Sequence, residues 1–390
     1  MTDIIIFLAV VYLFSFFLGR VFEKIKIPPM FAPLLFGILL AIKNPFYGVI
    51  SSENFIFLAN LGMYFLLFLI GFEIDFKNIK KTGSFIIKST ILIVLLEALV
   101  DGILFHFIFG YGWIIALVIA LIFATVGEEI LLPILDKCGL LKTKLGQSIL
   151  KIGVFDNLLE FLGVILISVY LGATSKINID FGIILFYVLG FVLIFLLLWK
   201  IKKRIRDFLE DLDLQAIFIF VFAIFFLFLF IGKNAEATAI TAIIGGILIR
   251  SFIKLKERFE EVEHEIKTFA YSLFGPLFFV WVGSSINMKY ILEYPIPILV
   301  IVAAVTLSNI LASFFVTRKE LGTRNAFLLG ISFCVKFSTS IVLIRVLYDL
   351  GILENKLYSV LVGSSIFFVL IPPLVFSLLV SLPQKIFQKK

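Results

Sequence analysis

Four carboxylates lie at mid-depth in two neighbouring apolar segments, where a membrane protein can bind ions or protons. The first segment, 113–135, contains Glu128 and Glu129, and the next one contains Asp156 and Glu160. An ionised carboxylate in hydrocarbon costs about 2.5–3.5 kcal/mol on insertion scales, so four of them indicate function. Because Asp156 and Glu160 are four residues apart, they share one face of a helix.

This arrangement predicts competition between protons and a cation. Carboxylates held close together in a low dielectric cannot all ionise, so some bind protons that an entering cation displaces. Asp156 and Glu129 are the expected anionic ligands of the cation, and only one of Glu128 and Glu129 can face Asp156. Thr125, Asn157 and backbone carbonyls freed by a helix break complete the predicted oxygen cage.

A lysine is the expected charge partner of these carboxylates. Lys336 is central in the apolar segment 325–348, too deep to reach the interface, and is predicted to pair with a carboxylate. A structural ion pair that only ties two parts of the protein together is the alternative. Lys151 and Arg345 lie near segment ends, where long side chains are expected to extend to the interface.

The elements that position these residues are membrane-spanning helices. The chain has 390 residues, of which 62% are hydrophobic and 16% charged, and its mean hydropathy is +1.16. This composition predicts an all-α polytopic membrane protein, and the first apolar run is expected to span rather than to be a cleaved signal peptide. The second predicted span is expected to be irregular because it contains Pro33. About thirteen spans are predicted in total: 3–19, 29–43, 54–72, 85–109, 113–135, 147–171, 181–200, 214–231, 236–253, 267–286, 294–316, 325–348 and 357–382.

The distribution of basic residues supports this count. Alternating loops place 26 of the 34 lysines and arginines on one side of the membrane and five on the other. The positive-inside rule then predicts a cell-membrane protein with its N-terminus outside and its C-terminus in the cytoplasm. The net charge of +7 is therefore a topology signal and does not indicate nucleic-acid binding.

Thirteen spans also predict two inverted repeats within a single transmembrane domain, 1–390. Repeat one covers about 1–172, the segment 181–200 links the halves, and repeat two covers about 214–382. Under this pairing, 113–135 corresponds to 325–348, and both carry a polar interruption at mid-depth. Two broken crossing helices are therefore expected to form the binding site.

Four motifs in order along the chain carry a resemblance to a known family. They are a proline turn before a glycine-bearing helix, a glycine-containing third span, an interrupted fifth span with its loop, and a Gly-Pro segment. The motifs are Lys26-Ile27-Pro28-Pro29 with 35–40, then 61–75, 124–143 and 275–283. Together they resemble the monovalent cation/proton antiporter superfamily, Kef-type and bacterial or archaeal sodium/proton exchangers in particular.

The resemblance implies the sodium/proton antiporter fold and a carboxylate pair on the sixth span that binds cation and protons. In electrogenic members both residues of the pair are Asp, and in electroneutral members the order is Asn then Asp. Here the pair reads Asp156-Asn157, the reverse of the electroneutral order, so the usual cation-binding Asp aligns with Asn157. Asn309 lies in the segment where the family often has a basic partner. Glu128 or Glu129 is predicted to replace the missing carboxylate, since Glu is one methylene longer than Asp.

The predicted function is therefore exchange of a monovalent cation, sodium rather than potassium, for protons. The alternative is a transport-inactive or altered-specificity relative that acts as a membrane sensor or assembly partner. The chain is not expected to be an enzyme or to need a cofactor. The resemblance also implies a homodimer. Glu97 and Asp101, four residues apart in the segment 85–109, are assigned a structural or vestibule role.

Overall fold

The computed structural model describes residues 2–25, 27–73, 83–174, 200, 202–210, 212–234, 238–253, 256–293 and 295–381. Within these ranges every regular element is a helix, which confirms the all-α class. The chain divides into two compact units. One unit contains Met1–Phe46, Lys81–Ile167 and Val280–Lys390, and the other contains Tyr47–Lys80 and Ser168–Phe279.

The described helices are numbered in chain order, and a short π-helical turn, Ala270–Phe274, follows α12. Their bounds are α1 Thr2–Lys24, α2 Phe31–Ile42, α3 Tyr47–Ile50, α4 Glu53–Glu73, α5 Ser84–Phe107, α6 Trp113–Ala124, α7 Glu128–Lys137, α8 Lys144–Thr174, α9 Lys202–Glu210, α10 Leu214–Asn234, α11 Thr238–Phe252, α12 Lys256–Phe269, α13 Gly275–Ser284, α14 Met288–Glu293, α15 Pro295–Leu321, α16 Thr323–Phe333, α17 Ser338–Asp349 and α18 Asn355–Ser381.

Seven helical segments in the described residues are long and apolar enough to cross a membrane, and α16 with α17 forms an eighth candidate bent by 42° at a break. Each predicted span except 181–200 and 267–286 coincides with a helix or with two helices separated by a short break. The span 267–286 covers the end of α12, the π-helical turn and α13, which follow one another without a break. The segment 181–200 lies outside the described residues, apart from residue 200. The repeat boundaries stay predictions.

The second span is a regular helix, so the irregularity expected from Pro33 is wrong. α2 begins at Phe31, after the Pro28-Pro29 pair, which places Pro33 in its first turn. The first four N–H groups of a helix have no intrahelical acceptor, so proline loses no hydrogen bond there.

Arg345 is buried in the unit that contains α17, and its expected extension to the interface is wrong. Its side chain is only 6% exposed, and its guanidinium lies 3.4 Å from the centre of the Trp281 ring. Nη2 lies 2.9 Å from Asp349 Oδ1, and Nη1 donates to Ser285 Oγ at 3.0 Å. Ring stacking and a local carboxylate hold the charge below the surface. Lys151, in contrast, is exposed, and its extension to the interface stays a prediction.

In the other unit, α4 and α11 approach so closely that only glycine fits at two positions. A methyl group on Gly71 would overlap the carbonyl oxygen of Ile243, and one on Gly246 would overlap that of Phe68. Such backbone-to-backbone approach is typical of packed transmembrane helices.

Gly71→Ala and Gly246→Ala should each destabilise the protein by about 3 kcal/mol, because overpacking forces two backbones apart. Thermal unfolding in detergent measures the loss. The matched control is Gly48→Ala in α3, where an added methyl group meets no atom within 4 Å. Equal unfolding temperatures for all three variants would contradict the packing described.

Candidate functional site

Two predicted spans of one unit are each interrupted between two helices, which confirms the predicted breaks. α6 ends at Ala124 and α7 begins at Glu128, so residues 125–127 separate them. α16 ends at Phe333 and α17 begins at Ser338, so residues 334–337 separate them. Each break leaves carbonyl groups at one helix end and N–H groups at the next without intrahelical partners.

The two breaks contact each other. The Gly127 N–H donates to the Val335 carbonyl at 2.7 Å. The hydroxyls of Thr125 and Ser340 lie 2.7 Å apart, and Thr125 Oγ1 also donates to the Ile122 carbonyl. These bonds satisfy part of the polar backbone that the breaks expose. They also join α6–α7 to α16–α17.

Lys336 lies at this junction and is fully buried. Its ammonium donates to the Phe333 and Ala124 carbonyls at 2.9 and 3.1 Å, to Asn309 Oδ1 at 3.3 Å, and to the Thr125 carbonyl at 3.4 Å. Ala124 and Phe333 are the last residues of α6 and α16, and a helix C-terminus carries partial negative charge.

The carboxylate that was expected to pair with Lys336 is not found among the described side chains. No described carboxylate oxygen lies within 4 Å of its Nζ atom, and carbonyl and amide oxygens fill these contacts instead. Carbonyls freed by a helix break were expected to line the cation cage, and those of Ala124, Thr125 and Phe333 accept hydrogen bonds from Lys336.

Asn157 binds the first break from α8. Its Oδ1 accepts from the Val126 N–H at 3.0 Å, and its Nδ2 donates to the Val126 carbonyl at 3.2 Å. A carboxylate at this position could accept the first bond but not donate the second. The amide therefore holds the interrupted backbone of residues 125–127.

Asp156 is fully buried in α8, and neither of its carboxylate oxygens has a hydrogen-bond partner in the described part of the chain. The charge of Lys336 acts on it electrostatically. An unpaired ionised carboxylate in such a site costs several kcal/mol, so Asp156 must hold a proton, a cation or a compensating charge.

Two carboxylates outside the predicted site belong to the same region. Glu97 and Asp101 on α5 are fully buried, and Asp101 Oδ1 accepts a hydrogen bond from Ser308 at 3.0 Å. Glu97 is within electrostatic range of Asp156, Lys336 and Asp101. The structural or vestibule role predicted for Glu97 and Asp101 did not include their proximity to the buried charges of the site. Their spacing of four in an apolar span was the available signal.

The structure places the backbone of the other predicted residues but does not describe their side chains. Glu128 and Glu129 begin α7, and Glu160 lies one turn after Asp156 in α8. Among the described residues, no three His, Cys, Asp or Glu side chains are grouped closely enough to hold a metal ion.

The fold and this junction define a polytopic helical membrane protein of the secondary-transporter class, in which broken helices meet around buried charges. The chain matches the profile described as "Sodium/hydrogen exchanger, transmembrane" over residues 9–382. It therefore belongs to the sodium/hydrogen exchanger family.

Individual relatives agree with this assignment. The chain is 25% identical over 372 residues to the "Probable Na(+)/H(+) antiporter 3" of Methanocaldococcus jannaschii, covering 92% of each chain. It is 22% identical to the "Na(+)/H(+) antiporter" of Enterococcus hirae, covering 92% of this chain and 93% of the relative. The solved structure of the sodium proton antiporter MjNhaP1 from M. jannaschii superposes with a TM-score of 0.69 at 17% identity and 97% coverage of both chains. This last likeness shows the fold.

Proposed function

We propose that this protein exchanges a monovalent cation, sodium rather than potassium, for protons across the cell membrane. The observation that carries the proposal is the fully buried Asp156, whose two oxygens have no hydrogen-bond partner in the described residues beside the broken helices. The names of the relatives above, which specify sodium and protons, support the choice of cation.

The exchange follows from the cost of buried charge. A group of buried carboxylates in this environment is stable when it holds a proton or when a cation lies against it, and the two states exclude each other. Opening the site to one side of the membrane and then to the other converts this competition into coupled transport. Competition between proton and cation, together with alternating access, is sufficient for exchange.

The cation would be held by Asp156 together with a carboxylate of α7. Only one of Glu128 and Glu129 can face Asp156, since adjacent helical residues point about 100° apart. Glu129 is the preferred candidate and Glu128 the alternative. Thr125, Asn157 and Glu160 are the remaining proposed contributors. Lys336 and Asn309 form the charge partner, and their contact at 3.3 Å supports that pairing.

Purified protein in vesicles that enclose a pH-sensitive dye tests the proposal. Adding sodium outside should make the interior alkaline, because protons leave as sodium enters, and lithium and potassium show the selectivity. Protein-free vesicles are the control. If none of the three cations changes the internal pH, the exchange function fails and the sensor or assembly-partner alternative gains.

The N-terminus is proposed to lie outside and the C-terminus in the cytoplasm. In a Cys138→Ser background, a membrane-impermeant thiol reagent added to intact cells should label Asn178→Cys, which lies outside the described residues, and not Glu210→Cys. Labelling after lysis checks that both thiols can react. The opposite pattern in intact cells would contradict the thirteen-span topology.

We also propose that two copies associate, as the family resemblance implies. The mass of the protein–detergent complex, corrected for bound detergent, tests this. A mass of about 44 kDa for the protein component would correspond to a single chain and exclude the dimer under those conditions.

A further inference from the structure

Glu97 is a buried glutamate that the transport site, as proposed above, does not use. It is the fourteenth residue of α5, and its relative exposure is 0%. Neither of its carboxylate oxygens has a hydrogen-bond partner among the described residues. Leu95, Leu96 and Leu99 of the same helix are exposed, so Glu97 faces the inside of its unit.

The charged groups that act on Glu97 differ in sign and lie on different parts of the unit. Asp156 on α8 and Asp101 on α5 oppose its ionisation, and Lys336 favours it. The thiol of Cys334 also lies in range. The neighbouring helix α6 contributes no titratable side chain, and α15 contributes the polar Ser308 and Asn309.

A purely structural ion pair does not account for Glu97. No oxygen of Glu97 lies within 4 Å of Lys336 Nζ, which donates to three backbone carbonyls and one amide. Asp101, by comparison, accepts a hydroxyl hydrogen bond from Ser308. Glu97 is therefore the carboxylate of the α5 pair that has no stabilising donor in the described structure.

Asp156 and Glu97 differ in their position relative to the breaks. Asp156 directly precedes Asn157, which hydrogen-bonds the first break at Val126, whereas Glu97 lies in the middle of the unbroken helix α5. Both carboxylates are fully buried without a hydrogen-bond donor in the described residues, and the positive charge of Lys336 acts on both. One positive charge compensates only one ionised carboxylate, so the other holds a proton. The carboxylate beside the break is the better placed cation ligand, because the break supplies backbone carbonyls.

We propose that Glu97 carries the exchanged proton while Asp156 binds the cation. This division of roles rests on the exchange function proposed above. When the cation reaches Asp156, the added positive charge compensates a second carboxylate. The O–H bond of Glu97 then breaks, its electron pair stays on oxygen, and the proton leaves to water. The net charge of the site is unchanged, and the proton returns when the cation departs.

Two measurements on purified protein in weakly buffered detergent test this without transport. One is binding of radioactive sodium, and the other is proton release on sodium addition, followed with a pH indicator. The parent should release about one proton per bound sodium, because the charge of the site is conserved. Glu97→Gln should still bind sodium, and its proton release per bound sodium should fall at least about fivefold. Its sodium affinity should also vary less with pH than that of the parent.

The matched control is Glu293→Gln, the same change at a half-exposed glutamate of α14. It should match the parent in both measurements. Glu97→Asp keeps a titratable group and should retain proton release, which separates loss of the proton carrier from a folding defect.

Three results would overturn the proposal. Undiminished proton release per bound sodium in Glu97→Gln would show that another group carries the proton. Loss of sodium binding in a folded Glu97→Gln would make Glu97 a cation ligand. A parent that binds no sodium, potassium or lithium would remove the exchange function as well, whereas the first two results leave that function intact.

Discussion

Asp156→Asn should abolish sodium-dependent proton movement in vesicles. The change keeps the size of the side chain and removes the charge that the cation needs. It leaves two consecutive amides, since Asn157 follows. A contact to a charged group is worth about 1.5–3 kcal/mol, so its loss alone weakens cation binding by about tenfold to a hundredfold.

Weaker binding alone would lower transport by that factor, and we expect complete loss because the same group also sets the charge balance with Lys336. The measurement is the initial rate of internal alkalinisation after sodium addition. Asp3→Asn, an equivalent change at an exposed position near the start of α1, is the control and should transport like the parent. Exchange by Asp156→Asn at the parental rate would show that the cation binds elsewhere.

Exchanging the two residues in Asp156→Asn with Asn157→Asp adds a sharper comparison. This order is the one that the family resemblance implies for electroneutral members, and it restores one carboxylate. The Asn157 amide donates to the Val126 carbonyl at 3.2 Å, a bond that an ionised aspartate cannot make. We therefore expect the double variant to recover only part of the activity. Full recovery would show that the amide contact to Val126 has no role in holding the break.

The sequence predicted the breaks because polar residues interrupt otherwise apolar runs. Thr125 and Gly127 mark the first, and the run from Ser332 to Lys336 marks the second. Hydrocarbon tolerates such residues only where protein or water satisfies them, so composition alone locates them. Membership of the exchanger family was likewise predictable from short motifs distributed over the chain.

The contacts of the two buried basic side chains, Lys336 and Arg345, could not be predicted from the sequence. Lys336 is held by the carbonyl ends of α6 and α16, which exist only after both helices break. Arg345 stacks on Trp281, which lies far away in sequence. The inward direction of Glu97 depends on how α5 is rotated against its neighbours, and the hydrophobic pattern of an almost wholly apolar helix does not fix that rotation.

Lys336→Met should destabilise the protein by about 3–5 kcal/mol, because removing one partner leaves buried charge uncompensated. The methionine side chain fills a similar volume, so the effect is chiefly electrostatic. The carbonyls of Ala124 and Phe333 lose their donor, and Asp156 loses the positive charge that acts on it. Thermal unfolding in detergent measures the change. Lys289→Met at the exposed face of α14 is the control and should unfold like the parent.

A second substitution separates the electrostatic effect from the loss of hydrogen bonds. If Lys336 compensates Asp156, Asp156→Asn should restore part of the stability that Lys336→Met loses, because it removes the carboxylate left without a counter-charge. The two changes should therefore be non-additive, with a coupling free energy of about 0.5–3 kcal/mol. Additive losses would mean that Lys336 acts only through the carbonyls of the broken helices. A Lys336→Met variant as stable as the parent would remove the charge-compensation argument, and the site would then have to balance Asp156 with a proton alone.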